Sequence, residues 1–378
     1  MEDKVCIKGR CPGAWQPMAS GDGLIVRVRP RHAQLSRCQV EALCEAAERW
    51  GSGVIDLTNR ANLQLRGVRE VAWQPLIEAL AQADLVDEAP SLEARRNLLV
   101  APDWLPGDDT HQSTTALLNQ LAELPELPAK VGFAVDAGER PVLMADSADF
   151  RIERAVSGQL LVRADGRQRG TPVQSAADAA ALTVRLAHWF VESGGPLVGR
   201  MRRHESPLPP WAPASVSPAK SRPPLALGNH PLGAVYGLRF GQVDTATLRR
   251  LMSTGGIENV RVTPWRRLLV TGVKARPLDG LLLDNQAPEL RVDACPGLPG
   301  CEQATVSTRP LATQLAGATA GSLHVSACPK GCARRLPADV CVVGREGRYD
   351  LVFRGGADEE PCLTGLTESQ VRHYFGVE

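Results

Sequence analysis

The residues with the clearest chemical signature are four cysteines in two close pairs, Cys295-x5-Cys301 and Cys328-x3-Cys332, with 26 residues between the pairs. Each pair lies on a loop rich in Gly and Pro, CPGLPGC and CPKGC. Such loops turn tightly and can aim backbone N–H groups at sulfur. Four thiolates so placed can hold a cubane, one sulfur on each corner iron, so Cys295, Cys301, Cys328 and Cys332 are expected to ligate a 4Fe-4S cluster. A structural zinc ion is the competing chemistry, but zinc sites usually use pairs near C-x2-C spacing. Two disulfides or four buried thiols would also account for the cysteines; the first needs an oxidising compartment, and the second does not explain the Gly/Pro-rich hairpins.

The other six cysteines lack this context. Cys38 and Cys44 repeat the x5 spacing, but within an apolar-periodic stretch that reads as a helix, where six residues rotate the second by about 240° from the first. Both are expected to pack. Cys6 and Cys11 sit in a short Gly-containing loop near the start, also expected to be packing residues, while Cys341 alternates in the strand-like VCVVG and Cys362 follows Pro361.

The elements that must position the two hairpins recur along the chain. Gly23-Leu-Ile-Val-Arg-Val-Arg29 precedes a helix over about Ser36 to Trp50 and then VIDLTNRANLQLRGV; Gly233-Ala-Val-Tyr-Gly-Leu-Arg239 precedes a helix around Thr245 to Met252 and then NVRVTPWRRLLVTGV. Without a gap, Thr58, Leu63, Leu65, Gly67 and Val68 fall opposite Thr263, Leu268, Val270, Gly272 and Val273. This indicates an internal duplication in which each unit is half of a ferredoxin-like arrangement and buries its open face against the other. The regions between are paired more weakly, Ser91 to Gly166 with Arg291 to Gly356, and only the second copy carries the cysteine set. The expected organisation is a first ferredoxin-like half-domain (1–88), a first α/β repeat domain without cluster cysteines (89–205), a Pro-rich linker (206–224), a second half-domain (225–288) and a cluster-binding α/β domain (289–378).

Composition sets outer limits. The chain has 378 residues, 43% hydrophobic and 22% charged, enough for a substantial core in two or three domains. A net charge of +1 provides no field to gather nucleic acid or an acidic membrane, so neither is expected as a partner. The opening residues contain no apolar leader and no later apolar run of about 18 residues could cross a bilayer, so a cytoplasmic location is expected. Of 43 basic residues 37 are Arg. Codon bias accounts for most of that excess, and recognition of a polyacidic ligand is a further reading.

The segments TNRANLQLRGV, ARRNLLVAP and LPAKVGFAVD, and above all CPGLPGC with SACPKGCARR, resemble the sirohaem-dependent sulfite and nitrite reductase family, in order over almost the whole chain. Within that superfamily the short length and the opening CPGAWQPMASGDGLIVRVRP look most like the precorrin-3B synthases of aerobic cobalamin biosynthesis. The resemblance implies an α+β, duplicated fold: two ferredoxin-like half-domains and two α/β cluster- and tetrapyrrole-type domains around a pseudo-twofold axis. It implies a tetrapyrrole in the central cleft, contacted by the residues matching the family's ligand-binding motifs: Arg29, Arg60, Gln64, Arg66, Arg96, Asn97 and Lys130. Charged contacts to the acetate and propionate rim would contribute about 1.5–3 kcal/mol each where water is partly excluded. The implied reaction takes precorrin-3A and dioxygen, hydroxylates C20 and closes the ring A acetate as a γ-lactone.

Two departures from the reductases stand out. A precorrin has no central metal, so the bridge that the last cluster cysteine makes to sirohaem iron, here at Cys332, should be absent. Reductases carry two lysines at alternating positions; here Lys130 remains and the second position is Gly132, a smaller residue that could leave room above the macrocycle. The resemblance also implies a mononuclear non-haem iron, but none of the seven histidines begins an H-x-[DE] element, and no ligands are assigned to it. With no G-x-G-x-x-G element after a strand-like run, electrons should come from a separate NADH-dependent reductase or ferredoxin-type donor. Sirohaem-dependent sulfite or nitrite reduction, and non-catalytic tetrapyrrole or cluster binding, are the alternatives.

Overall fold

The computed structural model describes residues 12–377. Cys6 and Cys11 therefore lie outside the described residues. Four five-stranded sheets organise the described residues, two for the ferredoxin-like halves and two for the α/β regions.

The helix Arg37–Trp50 starts where Ser36 accepts from the N–H of Gln39 and the Gln39 side chain accepts from the N–H of Ser36, a reciprocal cap. Its buried residues Val40, Leu43, Cys44 and Ala47 follow the spacing of one helical face. In the second copy Asp244 caps the helix Thr245–Met252 by accepting from Thr247 N–H, and Thr245, Leu248, Leu251 and Met252 are buried. The duplication extends to backbone conformation. Ala61 and Arg266 both have positive φ, as do Gly67 and Gly272, and Thr58 and Thr263 open the same loop by donating N–H to the carbonyls of Asn62 and Arg267.

The two halves exchange strands. Gln34–Ser36 of the first copy pairs antiparallel with Asn259–Val262 of the second, and Gln242–Asp244 pairs with Val54–Leu57 of the first. Each half-domain sheet is thus completed by the other copy. One continuous core follows, running from Val26, Leu43, Ile55 and Leu65 to Tyr236, Leu248, Val260 and Leu268.

The α/β regions share a strand order. In the first, Leu98–Val100, Phe133–Asp136 and Phe150–Arg154 run parallel, followed by antiparallel Leu160–Ala164 and Thr171–Val173. In the second, Val292–Ala294, Leu323–Ser326 and Ala338–Arg345 run parallel, followed by antiparallel Arg348–Gly355 and Leu363–Leu366. The Pro-rich stretch 206–224 forms no helix, as Pro requires, but it is tied down. Gly170 and Val156 donate to the carbonyls of Val216 and Ser217, and Ala219 donates to that of Arg154, so the stretch is pinned to the ends of strands of the first α/β sheet.

Candidate functional site

The two cysteine hairpins leave from the same end of adjacent parallel strands. Val292–Ala294 lies beside Leu323–Ser326 with Ala294 opposite Val325, so the chain emerging at Cys295 and the chain emerging at Cys328 start side by side. Local bonds then lock them. Ala327 donates its N–H to Cys295 Sγ at 3.2 Å, Thr305 N–H donates to the Ala327 carbonyl, and Ser326 Oγ donates to the Cys328 carbonyl. In the first hairpin Thr308 Oγ1 donates to the Cys295 carbonyl at 2.6 Å and Leu298 N–H to that of Val306. Gly331, with φ +58°, makes the turn between the last two cysteines, and a Cβ there would meet Ala357 Cβ at 3.1 Å.

Cys295, Cys301 and Cys328 are half-buried and Cys332 is exposed. The Cys332 thiol is held above its ordinary value, first by desolvation and then by the negative ends of Cys328, Cys295 and Cys301 beside it. The two hairpins thus lie side by side at the same strand ends. Yet among the described residues no three His, Cys, Asp or Glu side chains are gathered closely enough to hold a single ion. A cube would spread four such ligands over separate irons, whereas zinc would draw them to one point. The same observation leaves the implied mononuclear iron without a gathered ligand set among the described residues.

The equivalent place in the first α/β region carries no cysteine. By strand register Val100 lies opposite Val135 as Ala294 lies opposite Val325, which puts Ala101 at the Cys295 position and Gly138 at the Cys328 position. Its loop is filled instead by Trp104, stacked on His111 with centroids 5.0 Å apart and covered by Arg261 at 3.8 Å.

The residues matching ligand-binding motifs fall into two groups. Arg60 is half-buried and donates to the Lys130 carbonyl at 3.0 Å, Lys130 itself is exposed, and Gln64 is half-buried. The others are engaged within the protein. Arg29 donates to Glu93 Oε1 at 3.0 Å, and Arg96 pairs with Glu93 at 2.5 Å and with Asp87 at 3.3 Å; all four side chains are largely buried. Asn97 donates to the Val131 carbonyl at 2.7 Å. Arg66 reaches the first cysteine hairpin: it donates to the Gly300 carbonyl and to Ser20 Oγ, and pairs with Asp22 at 3.3 Å and Asp56 at 3.8 Å.

The room expected at Gly132 is occupied. A Cβ there would stand 2.7 Å from Asn97 Nδ2 and 3.0 Å from the Asn97 carbonyl oxygen, so the missing side chain accommodates Asn97. Cys38 is a second correction: it is exposed, whereas Cys44 is buried as expected.

Sequence reasoning missed the polar struts that hold the C-terminal α/β region against the halves. Asp56 pairs with Arg309 at 3.1 Å, one residue past Thr308, and accepts from Gln242 at 3.3 Å. Asp293, two residues before Cys295, pairs with Arg334, two residues after Cys332, at 2.9 Å and also with Arg266. Arg334, read from sequence as a cation that could offset cluster charge, is thus a clasp between the two hairpins. Asp293 and Arg334 flank the cysteine set symmetrically, which was the available signal.

Among the described residues no helix is long and apolar enough to cross a membrane. Residues 16–83 match the nitrite/sulfite reductase ferredoxin-like half domain. A precorrin-3B synthase from Sinorhizobium is 31% identical over 94% of this chain and 84% of its own length. A ferredoxin--nitrite reductase from Synechococcus elongatus is 24% identical over 91% of this chain and 80% of its own length. Among solved structures, the Mycobacterium tuberculosis NirA protein superposes with a TM-score of 0.55 at 14% identity, covering 93% of this chain and 79% of that one, which concerns fold alone. With its duplicated ferredoxin-like halves and identity along nearly its whole length, the chain belongs to the precorrin-3B synthase family of nitrite/sulfite reductase-like proteins.

Proposed function

We propose that the protein is an oxygen-dependent monooxygenase converting precorrin-3A to precorrin-3B in aerobic cobalamin biosynthesis. What supports this reading is that the two hairpins carrying Cys295, Cys301, Cys328 and Cys332 leave the same end of adjacent parallel strands in a chain related to a precorrin-3B synthase. When bound, a 4Fe-4S cluster supplies electrons one at a time, which suits chemistry between triplet dioxygen and a closed-shell macrocycle. In balance, one oxygen atom becomes the C20 hydroxyl and the other leaves as water. The two electrons and two protons come from a separate NADH-dependent or ferredoxin-type donor and from solvent.

The chain's own residues bind and hold the substrate. Arg60, half-buried and bonded to the Lys130 carbonyl, and the exposed Lys130 can take acetate or propionate groups, and the half-buried Gln64 can hydrogen-bond a carboxylate. Arg29 and Arg96 join only by giving up part of their bonds to Glu93 and Asp87, so substrate binding through them would rearrange that buried network. Arg66 and Asn97 support the site from behind, one holding the cluster loop and the other filling the space at Gly132.

The deciding experiment gives anaerobically reconstituted protein precorrin-3A, a reductant and labelled dioxygen, and reads the product mass. One labelled oxygen per product is expected. Unchanged ligand under those conditions would reject the assignment, and sirohaem absorption with six-electron reduction of sulfite would replace it with reductase activity.

A further inference from the structure

The first ferredoxin-like half touches the first cysteine hairpin through the tip of a hairpin of its own. Strands Met18–Ser20 and Gly23–Val28 pair antiparallel with Ser20 opposite Gly23, so Gly21 and Asp22 form the turn between them. That turn rests on the segment between Cys295 and Cys301. Ser20 Oγ donates to the Gly300 carbonyl at 2.7 Å, Arg66 donates to the same carbonyl, and Arg66 also pairs with Asp22 at 3.3 Å.

Gly21 itself lies against backbone. A Cβ there would stand 2.5 Å from the Pro299 carbonyl oxygen, and 3.0 Å and 3.1 Å from the carbonyl carbon and the nitrogen of Cys301. None of these atoms can swing aside as the end of a side chain can. The φ of Gly21 is not positive, so the turn's conformation does not call for glycine at this position. Close approach to the Cys301 backbone does. Within its own hairpin Cys301 is tied by the bond from Ala304 N–H to its carbonyl, whereas Cys295 has its carbonyl held by Thr308 and its sulfur by Ala327. The turn of the first half backs Cys301 from a distant part of the chain.

We propose that Gly21 is a positioning residue for Cys301: lacking a side chain, it seats the turn on residues 299–301 and fixes where Cys301 presents its thiolate to the cluster. This rests on the cluster reading given above. An added Cβ would have to separate from the Pro299 oxygen by about 1 Å more to reach ordinary contact. A ligand set tolerates about 0.5 Å of displacement. The turn cannot simply back away, because Ser20 and Arg66 tie it to Gly300. The push therefore falls on Cys301, while Cys328 and Cys332 lie on the other hairpin.

The test compares wild type, Gly21→Ala, Ser20→Ala and Gly13→Ala as full-length, anaerobically reconstituted protein. Gly13→Ala is the control, since a Cβ there would meet no atom nearer than 3.8 Å. Ser20→Ala removes one bond to Gly300 without adding bulk, and Arg66 keeps the other. Each protein is treated with iodoacetamide without oxygen, and mass spectrometry follows the initial alkylation rate of each cysteine separately. In Gly21→Ala, Cys301 should be labelled about tenfold faster than in wild type, an effect of the size that overpacking by one carbon has on a local opening equilibrium. Cys295, Cys328 and Cys332 should stay protected. Ser20→Ala should shift Cys301 the same way by less, and Gly13→Ala should match wild type. Unchanged protection of Cys301 in cluster-loaded Gly21→Ala overturns the proposal, and so does equal labelling of all four cysteines, which a merely structural loss would give. If Gly21→Ala takes up no cluster, Ser20→Ala decides: faster labelling at Cys301 alone supports the proposal, and unchanged labelling overturns it. Wild-type protein that takes up no cluster overturns the cluster reading itself, which separates the two failures.

Discussion

Replacing Arg66 by Met separates a ligand-binding role from a structural one. Arg66 is 7% exposed and donates to the Gly300 carbonyl in CPGLPGC, to Ser20 Oγ at 3.0 Å and to Asp22, while lying 3.8 Å from Asp56. Met keeps much of the volume but removes the charge and every donor. The neighbours are not all stranded: Gly300 keeps the Ser20 hydroxyl at 2.7 Å, and Asp56 keeps Arg309 and Gln242. Removing one partner of a buried pair costs about 3–5 kcal/mol when the other is left uncompensated. With those remaining partners the expected cost is about 2–3 kcal/mol. Because the lost bonds hold the loop carrying Cys301, cluster content should fall with stability, while precorrin affinity per folded, cluster-loaded molecule should stay unchanged. Urea unfolding with parallel iron and sulfide analysis measures the first two, and absorbance titration the third. Full stability and full cluster content combined with a large loss of precorrin affinity would refute the reasoning and return Arg66 to the ligand.

Further outcomes follow from the same geometry. Arg60→Ala should weaken precorrin binding about tenfold, near 1.4 kcal/mol for one charge-assisted contact, with little change in the urea midpoint; unaltered affinity would remove Arg60 from the carboxylate clamp. Gly132→Ala should destabilise the protein by about 1–3 kcal/mol through overpacking against Asn97, read as a lower unfolding midpoint. His32 is held down to about 4 by burial, then by His111, Arg31 and Arg261. A depressed imidazole contributes stability that is fully present above its unfolded value near 6.5 and lost as pH falls through about 4, up to about 3 kcal/mol in all. His32→Asn, which tolerates the positive φ at this position, should flatten stability between pH 6.5 and pH 4; an unchanged pH profile would show that His32 is not the group responsible.

The duplication was legible because its marks are local. Thr58 and Thr263 open equivalent loops, and the positive-φ positions at Gly67 and Gly272 favour the residue type found there. The cysteine hairpins were legible for the same reason, since a tight turn and a thiol pair leave a short pattern. The strand exchange was not. Gln34–Ser36 and Gln242–Asp244 are three residues each, too short for periodicity to mark them as strands or to reveal which copy they join. Charge pairing was equally hidden, because an Arg that reaches a ligand and one that reaches Glu93 look alike in sequence. Arg29 and Arg96 could be told from Arg60 only once Glu93 and Asp87 were placed beside them. Gly132 carries the same lesson: a missing side chain reads as space until the neighbouring Asn97 is seen to fill it.

The central claim is that four sulfurs from two adjoining hairpins hold one iron-sulfur cube. Iron, acid-labile sulfide and zinc should be determined together on protein purified without oxygen, beside a Cys328→Ser variant. About four irons and four sulfides per chain, lost in the variant, is the expected result. One zinc per chain, or neither iron nor sulfide in the wild-type protein, would contradict it.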